Sequence, residues 1–117
     1  MRMKRLGFPK KLRLTRHREF AHVVASGRTL QTRILKAVVV ENGLDYSRLG
    51  LRVSSKGAGG SVARNRIKRL LREAFRLHRD RIPSGLDILL SPRGDWGGRM
   101  TEEVSESLIR LFWKKNG

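Results

Sequence analysis

The stretch ARNRIKRLLREAFR, residues 63–76, constrains the fold of this chain more than any other. In it Ile67, Leu70, Leu71, Ala74 and Phe75 recur three and four apart, the period of an α-helix with one buried face. Asn65, Lys68, Arg69, Arg72, Arg76 and, just beyond, Arg79 gather on the opposite face. Such a helix needs a sheet beneath its apolar side, and only Glu73 offsets its cations locally, as an i,i+4 partner of Arg69. Like charges four apart, Lys68 with Arg72 and Arg72 with Arg76, each destabilise an isolated helix by about 0.2–0.5 kcal/mol. A helix that tolerates this repulsion suits a phosphate partner. Asn65, inside the cationic face, adds directional hydrogen bonds and no charge. A solvated helix that only keeps a protein soluble needs neither the one-sided stripe nor the amide.

The whole chain leans the same way. Its 117 residues carry 27 Lys+Arg against 10 Asp+Glu, a formal net charge of +17. That excess repels itself in a compact state, so it serves a polyanion better than it serves stability. Arginines outnumber lysines, and the guanidinium fork matches phosphate and stacks on bases, which favours nucleic acid. The length and the 38% hydrophobic content suit one domain with a modest core. The absence of cysteine excludes disulfides and thiolate metal sites and suits a cytoplasmic location. No apolar run approaches the roughly 18 residues of a membrane span, so no membrane partner is expected. No apolar h-region follows the basic N-terminus, and a helical pattern beginning by about Thr15 argues against a transit peptide.

Along the chain, residues 1–11 are basic and read as an extended segment of a single domain spanning 1–117. Thr15 is expected to cap a helix with apolar positions Phe20, Val23 and Val24 and a stop at Gly27. A short strand is expected at residues 28–32 and a valine-rich one at Leu35–Glu41, followed by the turn signal Asn42-Gly43. Residues 48–54 alternate Leu49, Leu51 and Val53 with Arg48, Gly50 and Arg52, a half-buried strand. Residues 57–60 read as a flexible loop before the basic helix. Residues 85–91, between Pro83 and Pro92, form another buried strand. Thr101 is expected to cap a last helix with Glu102 and Glu103 in its first turn, Lys114 and Lys115 in its last, and the stripe Val104, Leu108, Leu111 and Phe112. The fold class is α+β, a small two-layer sandwich in the order helix, strands, helix, strand, helix.

No protein active site emerges. His17 and His22 miss the i,i+4 ligand spacing, His78 stands alone, and neither Asp87 nor Asp95 has a second carboxylate at motif spacing. The loop KGAGGS lacks the Gly-Lys-Ser/Thr ending of a phosphate loop, so no small-molecule nucleotide is expected. Trp96 is expected to fold over the edge of the core.

The basic helix, together with RLGLRVSSK (residues 48–56), RLTRHREFAHVVASG (13–27) and GLDILLSPR (85–93), resembles the protein component of bacterial ribonuclease P over nearly the whole chain. The resemblance implies an RNA-binding protein that joins a large catalytic RNA and helps it remove the 5′ leader of precursor tRNA. The RNA supplies the magnesium-dependent hydrolysis. On matching positions, Arg64, Asn65, Arg66, Lys68, Arg69 and Arg72 would hold the catalytic RNA. Phe20, with Lys36 and Lys56, would line the leader cleft. The resemblance also implies a left-handed crossover from the strand at 48–54 through the basic helix to the strand at 86–91, against the usual right-handed rule. One extra residue and several glycines precede Arg64, and Val24 and Val38 stand where the family often has aromatics. A structural RNA-binder such as a ribosomal protein is the alternative; a sequence-specific DNA-binder lacks any helix-turn-helix pattern.

Overall fold

A computed structural model describes residues 9–113. Of the extended segment expected at residues 1–11, residues 1–8 lie outside them, as do the cations Lys114 and Lys115; Lys10–Leu12 form a 3-10 turn instead, closed by the Arg13 N–H on the Lys10 carbonyl. The elements run α1 (His17–Ser26), β1 (Arg28–Gln31), β2 (Leu35–Glu41), β3 (Arg48–Leu51), the short turn α2 (Ser55–Ala58), α3 (Ser61–Leu77), β4 (Leu86–Pro92) and α4 (Thr101–Trp113). This is the expected α+β order.

The strands form one sheet in the order β1-β2-β4-β3. All neighbours are antiparallel except β3 and β4, which run parallel and are joined through α2 and α3. A parallel pair cannot be closed by a tight turn, and the amphipathic α3 supplies the crossover. Alternation assigns the two faces. Leu35, Ala37 and Val39 of β2, Ile88 and Leu90 of β4, and Leu49 of β3 pack with Ile67, Leu71, Ala74 and Phe75 of α3 and Val104, Leu108 and Leu111 of α4. The other face carries a smaller cluster of Leu14, Val23 and Leu89, against which Phe20, Val38 and Val40 pack. Thus α1 lies across that face, in contact with β2 and β4. Trp96 is buried and donates its indole N–H to the Ile34 carbonyl at 3.1 Å, closing the core edge as expected.

Neither threonine caps a helix. Arg16 is the residue preceding α1, and Glu19 Oε1 accepts the backbone N–H groups of Thr15 and Arg16 at 2.9 and 3.0 Å. At α4 Glu103 Oε1 likewise accepts the N–H of Met100 at 3.1 Å. Thr15 lies one residue before the N-cap position and Thr101 one after it, so neither hydroxyl is placed to cap, while the carboxylates bring charge to the positive end of the dipole. The C-terminal stop is as expected: the Gly27 N–H bonds the Val23 carbonyl at 2.8 Å. A side chain at Gly27 would meet Val38 Cγ1 at 2.7 Å, so the glycine lets α1 close onto β2.

Glu19 also accepts Arg48 Nη1 at 3.2 Å, while Arg48 grips Asp87 through Nε at 2.9 Å and Nη2 at 2.8 Å. Asn42 Nδ2 donates to the same Asp87 Oδ1 at 2.9 Å. This network ties the start of α1 to β3 and β4. The Arg16 amide first, then the Thr15 amide and the Arg48 charge, hold the Glu19 carboxyl below its ordinary value, against an opposing burial effect. A depressed acid stabilises the fold above its unfolded pKa of about 4.3, and that contribution disappears as pH falls through the lower folded value. Unfolding free energies of the wild type and Glu19→Gln from urea titrations should therefore differ by about 1 kcal/mol near neutrality, the usual worth of a capping group. The two should converge on acidification; a pH-independent gap would refute the linkage.

Candidate nucleic-acid interface

The helical period places Arg64, Lys68 and Arg72 on one side of α3, each four residues from the next, along the edge strand β3. Arg64 is anchored by its Nε, which donates to the Val53 carbonyl at 2.8 Å. Lys68 and Arg72 are half-buried and, among the described residues, form no ion pair. Burial first, then the charges of Arg64 and Arg72, push the Lys68 ammonium below its ordinary pKa. Burial first, then Arg13 and Arg69, does the same to Arg72. Like charges set this close along a half-buried row are stabilised by an anion laid beside them.

Asn65 and Arg69 are exposed further round the helix. Arg66 points to the far side, where its Nη2 donates to the Arg99 carbonyl at 2.6 Å. The six residues of the expected catalytic-RNA set thus share the exposed arc of α3 but not one plane. Three expectations about this helix change. Glu73 pairs with Arg76 at 2.6 Å, not with Arg69, which removes Arg76 from the unpaired set and leaves Arg69 free of it. Arg79 lies past the helix end, in a 3-10 turn at Arg79–Arg81. The supposed flexible loop at 57–60 begins inside the helical turn α2, which Ser54 caps by accepting the Gly57 N–H at 2.9 Å. Only Gly59 and Gly60, with φ of 95° and 119°, form the break, and α3 opens at Ser61. The expected strand at 48–54 correspondingly ends at Leu51.

Phe20 is half-buried on the inner side of α1 and lines a recess of about 160 Å³ at the β3 edge. Its other walls are Arg13, Leu14, residues 49–51, Lys68 and Arg72. The fold therefore brings the aromatic ring and two α3 cations to one concavity. Lys36 and Lys56 do not line it. Lys36 sits on the same sheet face, across from Ser91 of β4 and Gln31 of β1. Lys56 is exposed on α2. Two cations had not been singled out. Arg13 comes to the recess because residue 13 bridges Leu49 in parallel. Arg52 follows Gly50 on the alternation of β3 and is exposed; the period-two pattern at 48–54 already put it on the polar side.

A family model described as Ribonuclease P matches residues 8–116. The ribonuclease P protein component of Syntrophus aciditrophicus is 37% identical over 113 residues, 97% of this chain and 94% of that one. That of Desulforapulum autotrophicum is 41% identical over 107 residues, 92% of this chain and 91% of that one. Among solved structures, the RNase P protein from Thermotoga maritima has a TM-score of 0.80 at 35% identity, covering 90% of this chain and 98% of that one. The Staphylococcus aureus RNase P protein has a TM-score of 0.74 at 30% identity, covering 86% and 91%.

Proposed function

This chain belongs to the ribonuclease P protein family and so works in maturation of the tRNA 5′ end, and we propose that its surfaces divide between two RNAs. Arg64, Asn65, Arg66, Lys68, Arg69 and Arg72 bind the catalytic RNA, which carries out the hydrolysis. Phe20 stacks on the unpaired 5′ leader of precursor tRNA, with Lys36 and Lys56 drawing leader phosphates along the open sheet face. The observation that carries this reading is the row Arg64–Lys68–Arg72, whose like charges are left uncompensated beside a half-buried aromatic ring. Because Lys68 and Arg72 share the recess with Phe20, the two RNAs meet there. A purely structural RNA-binder such as a ribosomal protein is not favoured by the family match.

Magnesium belongs to the RNA in this reading. Among the described residues no three His, Asp or Glu side chains cluster as a metal cage. The cations instead reduce phosphate repulsion where the RNAs converge. Among the described residues no helix is long and apolar enough to cross a membrane, and we place the protein in the cytoplasm. The family reading also carries the left-handed crossover through α3.

Holoenzyme affinity for precursor and mature tRNA tests the division. Stacking of a base on an aromatic is worth about 1–3 kcal/mol. Phe20→Ala should therefore weaken precursor binding, by about tenfold or more in the upper half of that range, and spare mature tRNA, which has no leader. Equal losses on both would return Phe20 to ordinary packing.

A further inference from the structure

We propose that Gly50 is a positioning residue for leader recognition, acting through the Phe20 ring; the inference rests on the leader-binding reading of Phe20. Gly50 occupies β3 between Arg48 and Arg52, buried, on the sheet face that α1 covers. Its φ lies outside the left-handed region, so the strand itself does not require glycine there. An interior glycine weakens a strand and usually marks a close approach by something else. Here the approach is explicit. A Cβ on Gly50 would stand 2.7 Å from Phe20 Cε1, 3.0 Å from Leu14 Cδ1 and 3.2 Å from Leu14 Cβ. Carbon atoms normally rest about 3.5–4.0 Å apart, so the edge of the Phe20 ring sits on bare backbone.

The two neighbours do not have equal freedom to yield. Leu14 is only 4% exposed and its backbone N–H is bonded to the Leu49 carbonyl at 2.9 Å. Phe20 is half-buried and borders the open recess. A methyl group at position 50 would therefore move the ring away from the strand by roughly an ångström, the deficit from a normal carbon contact. The recess between the ring and the Lys68–Arg72 edge would change shape while α3 stayed in place. Gly50 thus sets how deep the ring stands, and with it the geometry offered to a leader base.

The test uses holoenzyme reconstituted with wild-type protein, Gly50→Ala, Phe20→Ala and the double variant, each measured for precursor and mature tRNA affinity. Displacing the ring by about an ångström forfeits part of its stacking contact, so precursor binding is expected to weaken by roughly threefold to tenfold. Mature tRNA affinity should not change. In the Phe20→Ala background, Gly50→Ala should add no further loss, because the group it displaces is gone. Should Gly50→Ala alone fold poorly, the pair Phe20→Leu and Phe20→Leu/Gly50→Ala keeps the comparison, since the shorter side chain stops short of the strand; equal precursor affinities are expected. Independent, additive losses, or equal losses on both tRNAs, would overturn the role of Gly50. If Phe20→Ala itself left precursor affinity intact, the leader reading would fall first. If Phe20→Ala weakened binding and Gly50→Ala did not, only the Gly50 inference would fail.

Discussion

Raising salt from about 50 to 200 mM is expected to weaken binding to the catalytic RNA by about a thousandfold. Each phosphate neutralised releases condensed counterions, with a slope of roughly 0.7–0.9 in log affinity per contact. The cations of the α3 set, Arg64, Arg66, Lys68, Arg69 and Arg72, with Arg13 and Arg52 alongside, would supply about six such contacts in the proposed reading. Among the described residues no carboxylate pairs with Lys68 or Arg72, whose pKa values are depressed first by burial and then by neighbouring cations. Arg72→Ala should lower the salt slope by nearly one unit and weaken binding uniformly across RNA sequences. Arg76→Ala should do less, since Glu73 already holds Arg76 at 2.6 Å. Binding that is flat in salt, or an unchanged slope for Arg72→Ala, would rule out the α3 row as the phosphate contact.

The second large effect is on stability. Arg48→Met should destabilise the protein by about 3–5 kcal/mol in a denaturant titration, the usual result of stranding a buried charge. Asp87 is 4% exposed and receives two bonds from Arg48, so among the described residues its carboxylate would keep one side-chain donor, the Asn42 amide. Methionine fills the space without the charge, which isolates the electrostatic part. Glu19 loses the same partner, and Phe20 is the next residue on α1, so precursor tRNA affinity should fall as well. Affinity for the catalytic RNA should hold at temperatures where the variant is folded, because Arg48 makes none of its bonds to α3. A loss below about 1 kcal/mol would mean that water compensates the carboxylate.

Periodicity alone determined much of this protein. The bounds of β2, the buried stripe Ile67, Leu71, Ala74 and Phe75, and the cationic arc of α3 were all readable because side-chain direction repeats every 2 or 3.6 residues whatever the surroundings. The motifs around Arg64–Arg72 and residues 48–56 then pointed to the family. Partner choice was not readable in this way. Glu73 turns to Arg76 rather than Arg69, Arg16 rather than Thr15 takes the cap position, and Arg48 finds Asp87 39 residues away. A period says which residues share a face; it does not say which face meets which. The recess at the β3 edge shows this most clearly. Arg13, Phe20, Gly50, Lys68 and Arg72 come from four separate segments, and only the pairing of β3 with β4, the bridge at Arg13 and the packing of α1 and α3 on opposite faces bring them together. Gly50 had read as one more polar-side position in an alternating strand. Its meaning depends on Phe20, thirty positions earlier, which tertiary packing lays across its bare Cα.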